Sequence, residues 1–367
     1  MRTKKLSIAA FLLLSTLFSA LNAQTIAGVE KPKNTNKPSI SDYLKISGNL
    51  DLQYDYESSE ENNGDKDETS TFNVRRARLV FAGDITPKFE FKLQVEMAGK
   101  SPKVLDAFAK WKLYDEFQIR IGQGKIPFTI ENPYAPSYLT IENTMVINAL
   151  SGMADDKLCP GTSFSGGREM GVSFMGGFIK KDGFKVINYE IGVFNGNGIN
   201  VKNDNKQMAY VGQIEIKPIK DLKIHGSAYL GSYKTETEAD AERNRFAVGA
   251  EYASTGLMVR SEYVWGTTDT EKDAQLVNQK SDGFYAQAAY NINIKCKGGK
   301  TQTLIPVIRY ENYTADCDID DTSTYYLVGL GWWPEKHFRL QLNYTIKDKD
   351  GYDNLGHLVA AQATVKF

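Results

Sequence analysis

The sequence predicts an all-β protein: a closed antiparallel transmembrane β-barrel of about sixteen strands, with a long third loop folded into its lumen. Three observations predict it. The chain opens with an export signal, its body alternates apolar and polar residues with period two, and its connections alternate between short turns and long polar loops.

Arg2, Lys4 and Lys5 give the chain a positive start, and an apolar run from Leu6 to Leu21 follows, centred on Phe11, Leu12, Leu13 and Leu14. The small residue Ala23 then precedes Gln24, where polarity begins. This order predicts a secretory signal peptide at 1–23, cleaved after Ala23. The alternative is an uncleaved anchor, for which the apolar run is at the short end. Residues 24–42, with Lys31, Pro32, Lys33, Lys37 and Pro38, read as a flexible periplasmic lead-in. Residues 43–367 then form the barrel.

No later stretch is apolar enough to span a bilayer as a helix. Mean hydropathy is −0.40 and charged residues make up 24%, values shared by soluble proteins and by barrels whose strands turn half their side chains to water. Removing Arg2, Lys4 and Lys5 takes the formal charge from −1 to −4. That near-neutral balance predicts no basic surface for nucleic acid. Cys159, Cys296 and Cys317 are too few for a disulfide framework. The aromatic set, 20 Tyr and 18 Phe against 4 Trp, suits a protein with two membrane–water interfaces to decorate.

The first strand sets the pattern. Leu44, Ile46, Gly48, Leu50, Leu52, Tyr54 and Tyr56 fall on one face, while Lys45, Ser47, Asn49, Asp51, Gln53 and Asp55 fall on the other. The same alternation recurs over Phe89–Met97, Leu222–Leu230, Phe284–Ile292 and Phe338–Ile346. Short turns are predicted at Asp84–Lys88, Tyr114–Phe117, Pro218–Leu222 and Pro334–His337. Long polar loops are predicted at Glu57–Thr71, Asn195–Gln207, Lys234–Asn244, Thr267–Asp282, Ala315–Ser323 and Lys347–Gly356. In hydrocarbon every backbone polar group must be paired internally, so such strands close on themselves. A ring of about sixteen is too wide for side chains to fill and leaves an aqueous passage.

One connection differs. Between strand five (Phe117 to about Gln123) and strand six (about Glu169 to Phe178) the chain is rich in apolar residues, including Ile126, Phe128, Ile130, Tyr134, Tyr138, Leu139, Ile141, Val146, Ile147 and Leu150. A loop that long and that apolar must bury itself. It is expected to fold inward and narrow the pore. At the other end, Val359, Ala361, Ala363, Val365 and Phe367 share one face of the last strand. A terminal aromatic there resembles the signal that barrel-assembly machinery reads on outer-membrane proteins, so Phe367 is the expected contact.

Three stretches carry a family resemblance. They are Phe72-Asn73-Val74-Arg75-Arg76-Ala77-Arg78-Leu79 with Phe81 and Gly83, Gly122-Gln123-Gly124-Lys125-Ile126-Pro127-Phe128, and Gly192-Val193-Phe194-Asn195-Gly196-Asn197-Gly198. Together with the strand layout from Asp42 to Phe367 they resemble the phosphate-selective porin O/P family. The resemblance implies a sixteen-stranded homotrimeric porin of a Gram-negative outer membrane, with its third loop in the channel and basic residues lining the pore. Alternation assigns Arg76 and Arg78 to the lumen and Arg75 to the opposite face, where it would snorkel. Arg120 is also expected inside, with Lys125 and Arg168 at the roots of the inward loop; a ring of these five would favour anions. Pairing with Glu90, Glu96, Asp51 or Asp106 is the competing role for them. No unbroken arginine ladder leads to a constriction, a departure from the family pattern.

Other constellations are sparse. His225 beside Ser227 on one face is the single candidate for a hydrolase site, against a plain pore-lining role; His337 and His357 lack partners at metal-ligating spacing. The acidic runs Glu57–Glu68 and Asp316–Asp321 read as solvated loops, with calcium binding the alternative. The strand order puts Cys296 in a periplasmic turn and Cys317 in an extracellular loop, too far apart to bond. The expected role is diffusion of small hydrophilic solutes, anionic or neutral, across an outer membrane whose lipid surrounds the barrel, with no catalysis and no cofactor. A barrel working through its outer loops as adhesin or receptor, and a secreted soluble β protein, are the alternatives.

Overall fold

The computed structural model describes residues 43–60, 66–134, 139–151, 166–235, 237, 239–273, 275–350 and 354–367. The expected signal at 1–23, the lead-in at 24–42, Asn63-Gly64, Tyr138 and Cys159 lie outside the described residues. Five strands, β1 (Lys45–Glu60), β2 (Lys66–Thr86), β3 (Phe89–Glu96), β4 (Lys103–Lys112) and β5 (Gln118–Lys125), precede the long connection, which holds the short helix α1 (Met145–Leu150). Then come β6 (Arg168–Lys181), β7 (Phe184–Phe194), β8 (Ala209–Ile219), β9 (Leu222–Lys234), β10 (Asp240–Ser254) and β11 (Leu257–Lys272). The chain ends with β12 (Gln275–Tyr290), β13 (Ile292–Lys295), β14 (Thr301–Asp316), β15 (Asp321–Glu335), β16 (Phe338–Lys349) and β17 (Gly356–Lys366).

Apart from β12 and β13, each strand pairs antiparallel with the next, and β17 returns to pair with β1 from Asn49↔Lys366 to Ser58↔His357. β12 and β13 are one strand interrupted at Asn291, since both pair with β14. The result is a closed barrel of sixteen strands with no free sheet edge.

The period-two pattern becomes two chemically opposite faces. Ile46, Leu52, Phe72, Ile121, Tyr210, Ile308 and Leu342 are exposed on one; Asp51, Gln53, Arg76, Glu262, Arg309 and Arg339 are buried on the other. An exposed apolar band of this extent is at home in lipid. Stacked aromatic pairs mark its edge at the short-turn end: Phe89–Trp111, Phe117–Phe174 and Phe178–Tyr189. No helix among the described residues is long and apolar enough to cross a membrane.

Two expectations need correction. Several segments read as long loops are strand: β1 and β2 pair as far as Glu60↔Lys66, β11 and β12 as far as Lys272↔Gln275, and β14 and β15 as far as Asp316↔Asp321. Beyond the apolar band both faces of a strand meet water, so alternation vanishes from the sequence although the backbone ladder continues. The second correction is Arg75. The register shifts between Asp51 and Leu52, so that Asp51 faces Arg76 while Leu52 faces Val74. Arg75 is the extra residue of a β-bulge, and the bulge turns it onto the polar face beside Arg76.

Ring closure also uses Phe367. Gly48 N–H donates to Phe367 O at 2.9 Å, and Phe367 N–H donates to Gly48 O at 3.1 Å. A Cβ at Gly48 would stand 2.5 Å from Cζ of the Phe367 ring, so only glycine admits the terminal aromatic there. Cys296 and Cys317 are free thiols at opposite ends of the barrel, Cys296 beyond β13 at the short-turn end and Cys317 beyond β14 at the long-loop end.

Candidate functional site: the polar face

Register lays the polar side chains out in rows. Across β16, β17, β1 and β2, one row reads Arg339, Thr364, Asp51, Arg76. The row nearer the long-loop end reads Gln341, Gln362, Gln53, Asn73. On the other side of the charged row, Lys366 pairs with Asn49, Asn49 with Arg78, and Arg78 with Glu96. The Trp333 ring joins this group, with the Arg339 guanidinium 5.1 Å and the Lys366 ammonium 5.0 Å from its centroid.

The β5–β6 connection packs against this face. Ile126, Phe128, Val146, Ile147 and Leu150 are buried with Tyr229, Val264, Tyr285 and Tyr313 of the strands, which satisfies the burial that their apolar character demands. Gly283 makes room for α1, since a Cβ there would come within 2.9 Å of Val146. Polar bonds run to β9, β11, β14 and β16. Thr129 N–H donates to Ser227 Oγ (3.1 Å) and Ile130 N–H to Glu262 Oε1 (2.8 Å). Met145 N–H donates to Glu311. Gln341 Nε2 donates to Leu139 O (3.0 Å), and Arg309 Nη1 to Thr140 Oγ1 (2.9 Å). The buried carboxylates of Glu262 and Glu311 thus serve as acceptors for backbone N–H groups, which offsets their desolvation.

Glu142 is the centre of a clamp. Arg75 donates Nε and Nη2 to its two oxygens at 2.7 and 2.9 Å, and Arg76 Nη2 reaches it at 3.4 Å. Arg309 Nη1 holds the Glu142 carbonyl at 3.1 Å from the opposite side. Burial alone would raise the Glu142 carboxyl. The Arg75 hydrogen bond and the charges of Arg76 and Arg75 outweigh it and hold the group below its ordinary value.

Each basic residue singled out from the sequence has a partner. Arg76 bridges Asp51 and Glu142, both at 3.4 Å, and Arg78 pairs with Glu96 at 2.7 Å. Arg120 pairs with Glu190 at 2.5 Å and donates to Lys125 O at 2.7 Å. Lys125 braces the root of the connection through Asn132 Oδ1 (3.0 Å) and Gly166 O (2.6 Å). Arg168 pairs with Asp106 at 2.5 Å and donates to Gly166 O at 3.0 Å, while Lys92 holds the other Asp106 oxygen at 2.6 Å. Arg75, Arg76 and Arg78 lie along β2; Arg120, Lys125 and Arg168 form a second group where β5 and β6 meet.

Sequence reasoning missed further cations on the same face. Arg260 pairs with Glu251 at 2.6 Å and covers the Tyr134 ring at 4.2 Å. Arg243 donates to Tyr229 Oη at 2.6 Å and Gly196 O at 3.0 Å. Arg243 was hidden because its segment read as loop; its spacing of two from Arg245 was the available signal. His225 is buried, and the Ser227 hydroxyl beside it accepts the Thr129 N–H, so that oxygen is committed to holding the chain. No cluster suited to a metal ion occurs among the described residues.

A family model described as phosphate-selective porin O and P matches residues 44–222 and 225–367. The chain belongs to this family. Among solved structures, this porin is similar to the anion-selective porin from Comamonas acidovorans, with a TM-score of 0.64 and 13% identity over 88% of this chain and 99% of that one. It is also similar to OmpT of Vibrio cholerae in its trimer form, with a TM-score of 0.62 and 14% identity over 88% and 99% of the two chains. Salmonella typhi OmpF, solved with daunomycin, gives a TM-score of 0.62 and 14% identity over 90% and 100%. At these identities the likeness carries the fold alone. No curated protein sequence matches the chain. Porin family and barrel fold imply the outer membrane of a Gram-negative bacterium, and a channel rather than an enzyme.

Proposed function

We propose that this porin lets small hydrophilic solutes diffuse across the outer membrane with a preference for anions such as phosphate, without covalent chemistry or a cofactor. The observation that carries the preference is the group of cations around one carboxylate: Arg76, Arg339 and Lys366 gather within two residue rows of Asp51. Arg76, Arg78, Arg120, Lys125 and Arg168 act on a passing anion mainly through their field, because each already holds a partner. Attraction stays weak at each point, as release of the solute requires. The name of the Comamonas acidovorans neighbour, an anion-selective porin, agrees with this reading.

The β5–β6 connection lies in the lumen and narrows it. Its bonds to β9, β11, β14, β16 and β2 support this, since those strands stand around much of the ring. Short turns face the periplasm and long loops the exterior. Residues 1–23 direct export and are removed, 24–42 form a periplasmic lead-in, and Phe367 is read by the assembly machinery. A homotrimer is the assembled form, as in the trimer form of the Vibrio cholerae neighbour.

The zero-current potential across a potassium chloride gradient in a planar bilayer tests the preference. Wild type should give the sign of chloride permeation, and Arg76→Ala with Arg78→Ala should move the potential toward zero. Equal permeability of the two ions in wild type would refute the preference.

A further inference from the structure

Beside the cations, the same wall carries a run of neutral amides with a different chemistry. Gln341, Gln362 and Gln53 occupy one register row on β16, β17 and β1, and all three are more than nine-tenths buried. Gln53 Nε2 donates to both Asp55 oxygens at 2.8 and 3.0 Å, and Gln341 Nε2 donates to Leu139 O at 3.0 Å. Those acceptors fix which end of each amide is nitrogen. Gln362 Nε2 contacts Thr364 Oγ1 at 3.0 Å. The three carbonyl oxygens have no partner among the described residues.

One step toward the long-loop end, Asn343 accepts from Ile141 N at 3.3 Å through Oδ1, while its Nδ2 is unpartnered among the described residues. Asn343 lines a cavity of about 260 Å³ between the β5–β6 connection and β14–β17, together with Asn143, Asn148, Tyr325, Thr345 and Leu358. At about 30 Å³ per water this space suits a molecule of monosaccharide size. Its charged neighbours are already engaged: Lys347 with Glu57 at 2.5 Å, Arg309 with Glu311 at 2.6 Å, Glu142 with Arg75, and Lys349 as well.

We infer that the cavity and the adjoining amide row form a binding site for a neutral polyhydroxylated solute of monosaccharide size. Bare carbonyl oxygens accept hydrogen bonds and therefore suit a phosphate poorly, since most of its oxygens are acceptors too and it brings only one or two hydroxyl donors. Cations are disfavoured by Arg339 and Arg76 in the next row. A hydroxyl satisfies both demands, donating to the glutamine oxygens and accepting from Asn343 Nδ2, while Leu358 and Tyr325 offer apolar contact to a ring. The site deepens the porin reading and rests on it for access from the channel.

D-glucose is the probe. Titration calorimetry on the detergent-solubilised protein should give a saturable isotherm, and glucose should reduce single-channel chloride current beyond the effect of viscosity. Gln53→Leu with Gln341→Leu and Gln362→Leu should weaken glucose binding at least about tenfold while chloride conductance persists. Asn148→Ala, on the opposite wall of the cavity, should weaken it too, which keeps the test valid if the triple variant fails to fold. Glucose binding that is absent, or unchanged in Asn148→Ala and in a folded triple variant, overturns the site. Saturable binding by a protein that conducts nothing would support the site and overturn the porin reading instead; conduction without binding would do the reverse.

Discussion

At Glu142 one carboxylate holds two guanidiniums of β2 while the backbone carbonyl of the same residue is held by Arg309 of β14. This makes the β5–β6 connection sensitive to a single proton. A carboxyl depressed in the folded state contributes its stability above the unfolded value and loses it as pH falls through the folded value. Current noise should therefore stay constant from pH 7 to about 5 and rise only below 4.5, the ordinary value for this carboxyl. Glu142→Gln should show the raised noise already at pH 7; noise rising in wild type between pH 7 and 5 would contradict the clamp. Alternation placed Arg76 and Arg78 with their polar neighbours, but Arg75 was misplaced because the bulge there moves the outward face from odd positions (Ala77, Leu79) to even ones (Phe72, Val74), a change of phase that the reading carried straight through. The competing role as ion-pair partners was legible for Asp51, Glu96 and Asp106, whereas Glu142 and Glu190 were unreadable, since they lie far from Arg76 and Arg120 in the chain.

Among the elements, the six-residue helix α1 is the one that rests on a side-chain cap. Thr144 Oγ1 accepts from Ile147 N at 3.3 Å and donates to Glu131 Oε2 at 2.7 Å, closing the helix start and tying it back to the connection. Loss of such a cap costs about 1 kcal/mol. Thr144→Ala should thus speed hydrogen exchange at Ile147 and Asn148 about fivefold, and unchanged exchange would contradict the cap's role. The β11–β12 hairpin behaves oppositely. Its outer rungs, from Thr270↔Val277 to Lys272↔Gln275, lie past the apolar band. Replacing residues 270–277 with Asn-Gly should leave the barrel closed, with its heat-modifiable migration in gels retained; loss of that migration would show that the outer hairpin holds the ring. The sequence made these rungs look like loop because water on both sides removes the pressure to alternate. Within the band, where lipid and water meet opposite faces, strands such as Leu222–Leu230 and Phe338–Ile346 were legible residue by residue.

Over the whole molecule the constraint is closure. An apolar face turned outward cannot end in an unpaired edge, and the pairing of β17 with β1 leaves none. The number of strands followed from counting turns; the interruption at Asn291 did not, because the register against β14 is the same on both sides of it, from Ala289↔Val307 to Ile292↔Leu304, and the alternation continues unbroken. The proposed channel role turns on a continuous water path through the ring. Single-channel recording of the purified protein in a planar bilayer tests this most directly. Such a path should give discrete current steps, linear in voltage. A bilayer that stays silent while holding inserted, heat-modifiable protein would contradict it.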